Sequence, residues 1–245
     1  MFSPEDRDAA RAFVLRLASE DSRVTAGAVV GSFARGAEDR WSDLDLTFAV
    51  ADDAAIGDVI DDWTRQLEAA LDAVALWDLR VGSRTYRVFL LPGSLQVDLS
   101  FTPASQFRPA GPKFALLFGQ AGPMDAPSPP TPEHFFGLGV VQALHGRRCI
   151  ERARYWQAEQ AIGQIRECAL SLACLQQGLD PTQGRGFDDL PVETLAPVAA
   201  TLVASVEPDR LRAALERAAQ LLISQATAVS DLAGRIEEDL LRPAG

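Results

Sequence analysis

The stretch from Ala28 to Val50 constrains the fold more than any other. It opens with the apolar segment Ala28-Val29-Val30 and turns at Gly31-Ser32-Phe33-Ala34-Arg35-Gly36. After Trp41-Ser42 it enters Asp43-Leu44-Asp45-Leu46-Thr47-Phe48-Ala49-Val50. The pattern is strand, small-residue turn, short connection, then a strand carrying two aspartates. Side chains alternate between the faces of a strand, so Asp43, Asp45 and Thr47 share one face and Leu44, Leu46 and Phe48 the other. The apolar face must pack on a core. The opposite face then holds two carboxylates one repeat apart.

Two carboxylates that close repel, and a cation between them relieves the repulsion. Hard oxygen ligands favour Mg²⁺, which keeps waters and completes its shell with phosphate oxygens. Gly31 lets a backbone approach without a Cβ in the way. Ser32 supplies a hydroxyl and sits where a helix could begin, with N–H groups free to meet an anion. A grip for phosphate and a grip for metal thus lie at the two ends of one short segment. The bland alternative is an ordinary Gly-Ser turn before a strand with solvated aspartates.

The order Gly31-Ser32, spacer, Asp43-Leu44-Asp45 resembles the nucleotidyltransferase superfamily related to DNA polymerase β. Arg35-Gly36 and Trp41-Ser42 look like its antibiotic-modifying and minimal branches. The resemblance implies an α+β nucleotidyltransferase domain with a mixed sheet and flanking helices. It implies Mg²⁺ on Asp43 and Asp45, ATP as the usual donor, and phosphates held by Gly31 and Ser32 with Arg35 assisting. It also implies a third acid on a strand beside the Asp-x-Asp strand, either completing the metal site or taking the proton of the attacking hydroxyl. Asp98 fills that place. It stands in Leu95-Gln96-Val97-Asp98-Leu99-Ser100-Phe101 opposite the Val97, Leu99 and Phe101 face, where an acid needs a reason. The competing reading is a solvent-facing residue on an edge strand.

The chain has 245 residues, 47% of them hydrophobic, enough for one large or two modest globular domains. No apolar run approaches a membrane span, and Met1-Phe2-Ser3-Pro4-Glu5-Asp6 lacks the basic start of a secretory signal. Cys149, Cys168 and Cys174 show no metal-type spacing; an odd count suits a reducing, cytoplasmic setting, with all three as small buried hydrophobes. Net charge is −11. Such a balance disfavours nucleic acid and attracts cationic small molecules. The near-exclusive use of Arg over Lys, with abundant Ala, suggests a GC-rich bacterial genome.

Read in order, Ser3-Pro4-Glu5-Asp6 starts a helix whose apolar stripe is Ala10, Phe13, Val14, Leu17 and Ala18. Strands follow at Val24–Val30 and Asp43–Val50. A helix spans Gly57–Leu71 with the stripe Val59, Ile60, Trp63, Leu67 and Ala70. Strands are expected at Val74–Leu79, Thr85–Leu91 and Leu95–Phe101, the last two joined by Pro92-Gly93. Lys113 precedes the apolar run Phe114–Phe118. The Pro-rich segment Pro127-Ser128-Pro129-Pro130 is the best boundary, dividing a domain of residues 1–125 from an all-α bundle of residues 126–245.

Beyond the boundary Thr131-Pro132-Glu133 caps a helix with the stripe Phe136, Val140, Val141 and Leu144, ending near His145-Gly146. A long helix is expected from near Cys149 to Leu175, stopping at Gly178. Leu190-Pro191 and Val206-Glu207-Pro208 separate two later helices, the last running from Leu211 to Leu241. Arg154-Tyr155-Trp156-Gln157-Ala158-Glu159 followed by Ile165-Arg166 looks like the second domain of small-molecule nucleotidyltransferases. By that resemblance Tyr155, Trp156, Glu159 and Arg166 would bind substrate; equally, Glu159 and Arg166 could belong to a structural ion-pair network. The loop Gln183–Asp189 is a weaker candidate for the same cleft.

The expected reaction is transfer of a nucleoside monophosphate from a triphosphate to a hydroxyl of a small, cationic, aminoglycoside- or lincosamide-like acceptor, with a role in antibiotic resistance. The alternative is a protein-modifying nucleotidyltransferase of toxin–antitoxin type. A non-catalytic nucleotide-binding module is disfavoured by the intact acidic triad.

Overall fold

A computed structural model of the chain describes residues 1–31, 33–36, 38–111, 113–124 and 130–241, with the backbone alone of Arg35. The chain divides into two compact units, Met1–Pro127 and Ser128–Gly245. Among the described residues the first holds all the strands and the second only helices, so the fold class is α+β as the sequence implies.

The first unit is built on a six-stranded sheet. Its strands are β1 (Val24–Val30), β2 (Leu44–Val50), β3 (Val74–Val81), β4 (Arg84–Leu91), β5 (Leu95–Pro103) and β6 (Phe114–Phe118). The spatial order is β3-β4-β5-β2-β1-β6. Only β2 and β5 run parallel; every other neighbouring pair is antiparallel. A parallel pair cannot be closed by a tight turn, and here α2 (Ile56–Leu71) and the β3–β4 hairpin make the crossover.

Helices α1 (Pro4–Glu20) and α2 cover one face. Ser3 and Asp6 form a reciprocal capping box at the start of α1, with proline in the first turn. Leu44, Leu46, Phe48 and Val50 of β2 and Val97, Leu99 and Phe101 of β5 point into this layer with Val14, Leu17 and Trp63. Trp63 packs edge-on to Phe48 and Phe101, at centroid distances of 4.9 and 5.3 Å. Its indole N–H donates to Asp21 Oδ2 at 2.9 Å, so the polar edge of a buried ring is satisfied. On the opposite face a smaller cluster of Ala26, Ala28, Ala49 and Phe107 covers one end. The other end of that face carries the acids.

Strand β6 lies outside the sequence expectation, which left Phe114–Phe118 as an apolar run. It pairs with β1 at the sheet's second edge. Ala70, expected inside the α2 stripe, is exposed.

In the second unit α3 (Pro132–Glu151), α4 (Tyr155–Gln177) and α6 (Pro208–Ser224) share one core, with α7 (Ser230–Leu241) packed beside them. The short α5 (Val192–Leu195) and the loop around Phe187 and Leu190 close over Leu170 and Cys174. All three cysteines are buried and free. No helix among the described residues is long and apolar enough to cross a membrane.

Three helical expectations need correction. Helix α3 runs past Gly146 to Glu151, and a turn with Ala153 at φ 53° separates it from α4. The expected last helix is two, broken at Thr227–Val229. Finally, Val141 is 60% exposed, because α3 buries Phe136, Gly139, Ala143 and Gly146 instead. A Cβ at Gly139 would stand 2.7 Å from Leu222 Cδ1, and one at Gly146 3.1 Å from Leu215 Cδ1. Small residues at 139 and 146 therefore let α6 approach α3, alongside the buried Phe136 and Ile150.

This predicts a contrast within one helix. Gly139→Val should overpack the α3–α6 contact and destabilise the chain by about 1–3 kcal/mol. Gly137→Ala, where an added Cβ meets nothing within 4 Å, should stabilise it by up to about 1 kcal/mol through helix propensity. Urea unfolding of both variants checks the pair.

Candidate active site

The parallel register sets Asp45 of β2 directly beside Asp98 of β5. Along the same face the next pair inward is Thr47 and Ser100, both buried, with the Ser100 hydroxyl donating to Thr47 Oγ1 at 2.8 Å. The face thus goes from a dry hydroxyl floor to a half-buried pair of acids. Asp43, one repeat before Asp45 and just ahead of β2, completes the group. One carboxylate oxygen from each of Asp43, Asp45 and Asp98 lies within 4.8 Å of the others, the only such set of three among the described residues.

Electrostatics at this point oppose the bare arrangement. Burial pushes the Asp98 carboxyl above its ordinary value, and the charge of Asp43 adds to the rise. The Gln96 amide opposes both, donating from Nε2 to the two Asp98 oxygens at 3.0 and 3.1 Å. Gln96 therefore holds the plane of the Asp98 carboxylate, a role the sequence reading did not give it.

Gly31 stands against the same acids. Its φ is +73°, a conformation open to glycine, and a Cβ built on it would lie 2.2 Å from Asp45 Oδ2. The turn backbone and the Asp45 carboxylate touch because position 31 has no side chain. The segment after it is a single 3₁₀ turn, Phe33–Arg35, not the start of an α-helix. Ser32 lies outside the described residues, as does the side chain of Arg35.

Helix α1 fixes the connection between the turn and the acids. Arg7, 5% exposed, donates from Nη1 to the carbonyls of Asp39 and Ser42 at 2.6 and 3.0 Å. Its Nε lies 3.1 Å from Glu38, which Arg11 also pairs. The Arg11 guanidinium covers the Phe33 ring at 4.0 Å. Asp39 closes the loop by accepting from Trp41 N at 2.8 Å and from the Ser42 hydroxyl at 3.0 Å. The missed signal for Arg7 was its position: it repeats at helical spacing with Ala10, Val14 and Leu17, on the buried stripe.

The donor set suits a hard divalent cation. It consists of three carboxylates with no Cys or His among them, whereas zinc favours nitrogen and sulfur. The cradle at Gly31 and the convergence of the three carboxylates fit the same assignment.

The remaining site expectations fall on α4 of the second unit. Tyr155 is half-buried against the helical core, and Trp156 is 73% exposed. Glu159 is half-buried. Arg166 donates from Nε to Thr201 Oγ1 at 2.7 Å and from Nη2 to Thr201 O at 2.9 Å, bracing the segment before α6. No ion pair joins Glu159 to Arg166 among the described residues; Arg166 is engaged elsewhere. In the loop Gln183–Asp189, Phe187 packs inward with Leu190.

No family model matches the chain, and no curated protein matches it. Thirteen solved chains do. One is an aminoglycoside 6-adenyltransferase from Bacillus subtilis, 13% identical, covering 96% of this chain and 97% of its own, with a TM-score of 0.40. Another is a nucleotidyltransferase-like protein from Exiguobacterium sibiricum, 14% identical, covering 96% of this chain and 78% of its own, with a TM-score of 0.41. At these identities and scores neither neighbour's activity transfers to this chain.

Two outcomes are expected here. Gly31→Ala should force a strained backbone, at about 1–2 kcal/mol, and displace Asp45, so that Mn²⁺ affinity measured by titration calorimetry falls at least tenfold. Asp98→Asn should raise the stability of metal-free protein at neutral pH by about 1 kcal/mol or less, allowing for solvent screening. The sign follows from the raised Asp98 value. The native state binds that proton more tightly than the unfolded chain, so wild-type stability gains as pH falls through it. The Asn variant should lack that gain in thermal melts across mildly acidic pH.

Proposed function

We propose that the chain is a metal-dependent nucleotidyltransferase that moves a nucleoside monophosphate from a triphosphate, ATP foremost, to a hydroxyl of a small acceptor. The observation that carries the reading is the convergence of Asp43, Asp45 and Asp98 beside the Gly31 turn. Asp43, Asp45 and Asp98 would hold Mg²⁺, which supplies charge neutralisation for the triphosphate and the departing pyrophosphate.

The chain's own groups do the rest. The Gly31 backbone admits a phosphate group close to the Asp45 strand. The Thr47–Ser100 floor excludes water below the acids. Asp98, oriented by Gln96, accepts the proton of the attacking acceptor hydroxyl, a contribution typically of about 10²–10⁴-fold. The acceptor oxygen bonds to the α-phosphorus as the bond to the bridging oxygen breaks, and pyrophosphate leaves. The acceptor is small, hydroxylated and cationic, in keeping with a net charge of −11. Tyr155, Trp156 and Glu159 keep the substrate-binding role that the motif resemblance implies for them.

The test is pyrophosphate release from ATP and Mg²⁺ across a panel of aminoglycoside- and lincosamide-like acceptors. At least one should raise turnover, and Asp43→Asn or Asp45→Asn should lower it at least a thousandfold while the thermal melt survives. Wild-type rates in either variant would remove the metal assignment. If no small acceptor responds while a co-encoded protein becomes nucleotidylated, the toxin–antitoxin alternative takes over.

A further inference from the structure

Strand β3 forms one end of the sheet, with no neighbour on its outer side among the described residues. Five of its eight residues are exposed and apolar: Val74, Leu76, Trp77, Leu79 and Val81, between 41% and 57% exposed. Free edges of this kind are normally shortened, charged or covered, because their unpaired N–H and C=O groups recruit another strand.

Two features of β3 specify what would pair with it. The first is its geometry. The register with β4 slips between Ala75 and Trp77, then stays regular from Trp77 to Val81; Gly82, at φ +59°, opens the hairpin turn. The regular run is therefore bounded on both sides, and its midpoint is Leu79. The second is its charge pattern. Asp78 and Arg80 flank Leu79, on the face opposite to that of Trp77, Leu79 and Val81. Asp78 is held in place by Arg87 of β4, which donates to it from Nε at 2.7 Å and from Nη2 at 2.8 Å.

We propose that a second copy of this chain pairs antiparallel along β3, about a twofold axis through Leu79, joining the two sheets into one. In that register Leu79 meets its own counterpart and Trp77 meets Val81 of the second copy. Asp78 meets Arg80 of the second copy, and Arg80 meets its Asp78. The strand is thus self-complementary in charge and in apolar surface, as an isologous contact requires. Centring the axis on Asp78 or on Arg80 instead sets like charges opposite each other, which is destabilising.

Sedimentation velocity of the full chain over a micromolar concentration series tests this. Wild type should show a monomer–dimer equilibrium, with concentration-dependent hydrogen-exchange protection of the amides of residues 77–81. Arg80→Asp should weaken the dimer at least tenfold, because like charges across an interface are strongly unfavourable, and Arg80→Lys should keep it. If Arg80→Asp loses its melting transition, Leu79→Lys decides in its place. A wild-type chain that stays monomeric throughout overturns the proposal. So does a dimer that neither Arg80→Asp nor Leu79→Lys weakens.

Discussion

The alignment of Asp45 with Asp98 is the constraint on which the rest of the first unit depends. Two like charges are set side by side by a parallel pair of strands, and a third stands within reach. Left alone, such a group favours protonation or separation; burial pushes the Asp98 carboxyl upward and the charge of Asp43 adds to it. The surroundings prevent escape. The apolar sides of β2 and β5 are locked into the Phe48, Trp63 and Phe101 layer, the Thr47–Ser100 pair pins the register, and Gln96 fixes one carboxylate plane. Packing stability is spent on holding charge where a cation can use it, a common relation between stability and function.

What the sequence made legible was local. Alternation placed Asp45 of β2 on the face opposite Leu44, Leu46 and Phe48, the Ser3–Asp6 box marked the start of α1, and an acid among Val97, Leu99 and Phe101 singled out Asp98. What it hid depends on distant partners. Nothing near Phe114–Phe118 tells that β1 is waiting for it. Nothing near Arg7 names the carbonyls of Asp39 and Ser42, although its place on a buried stripe was a signal. In the second unit hydropathy pointed to Val141, whereas the α3 contact is made by Gly139 and Gly146, residues that hydropathy scores weakly. The break at Arg152-Ala153-Arg154 contains neither Gly nor Pro, so no local breaker announces it.

The Arg7 and Arg11 anchors also change how the Gly31–Asp45 segment should be viewed. It is more than a loop between two strands. Helix α1 grips its far part by main-chain carbonyls and by Glu38, so the distance from Gly31 to Asp43 is set by a helix rather than by the loop alone. The Gly31 turn and the acids are thereby held in one frame, consistent with the direct approach of the Gly31 backbone to Asp45.

The crossover between β2 and β5 carries a kinetic consequence. Asp43 and Asp45 lie early in the chain, and Asp98 joins them through the parallel β2–β5 pairing, with α2 and the β3–β4 hairpin in between. Long-range parallel pairing is a slow, entropically costly step. Until it is complete, β2 has one open edge and only two of its acids. A divalent ion would therefore find no full ligand set on the way to the native state. Its effect should fall on the rate of unfolding rather than of folding, as for any interaction absent from the transition state. A divalent cation would act as a latch on a finished domain and not as a guide to its assembly.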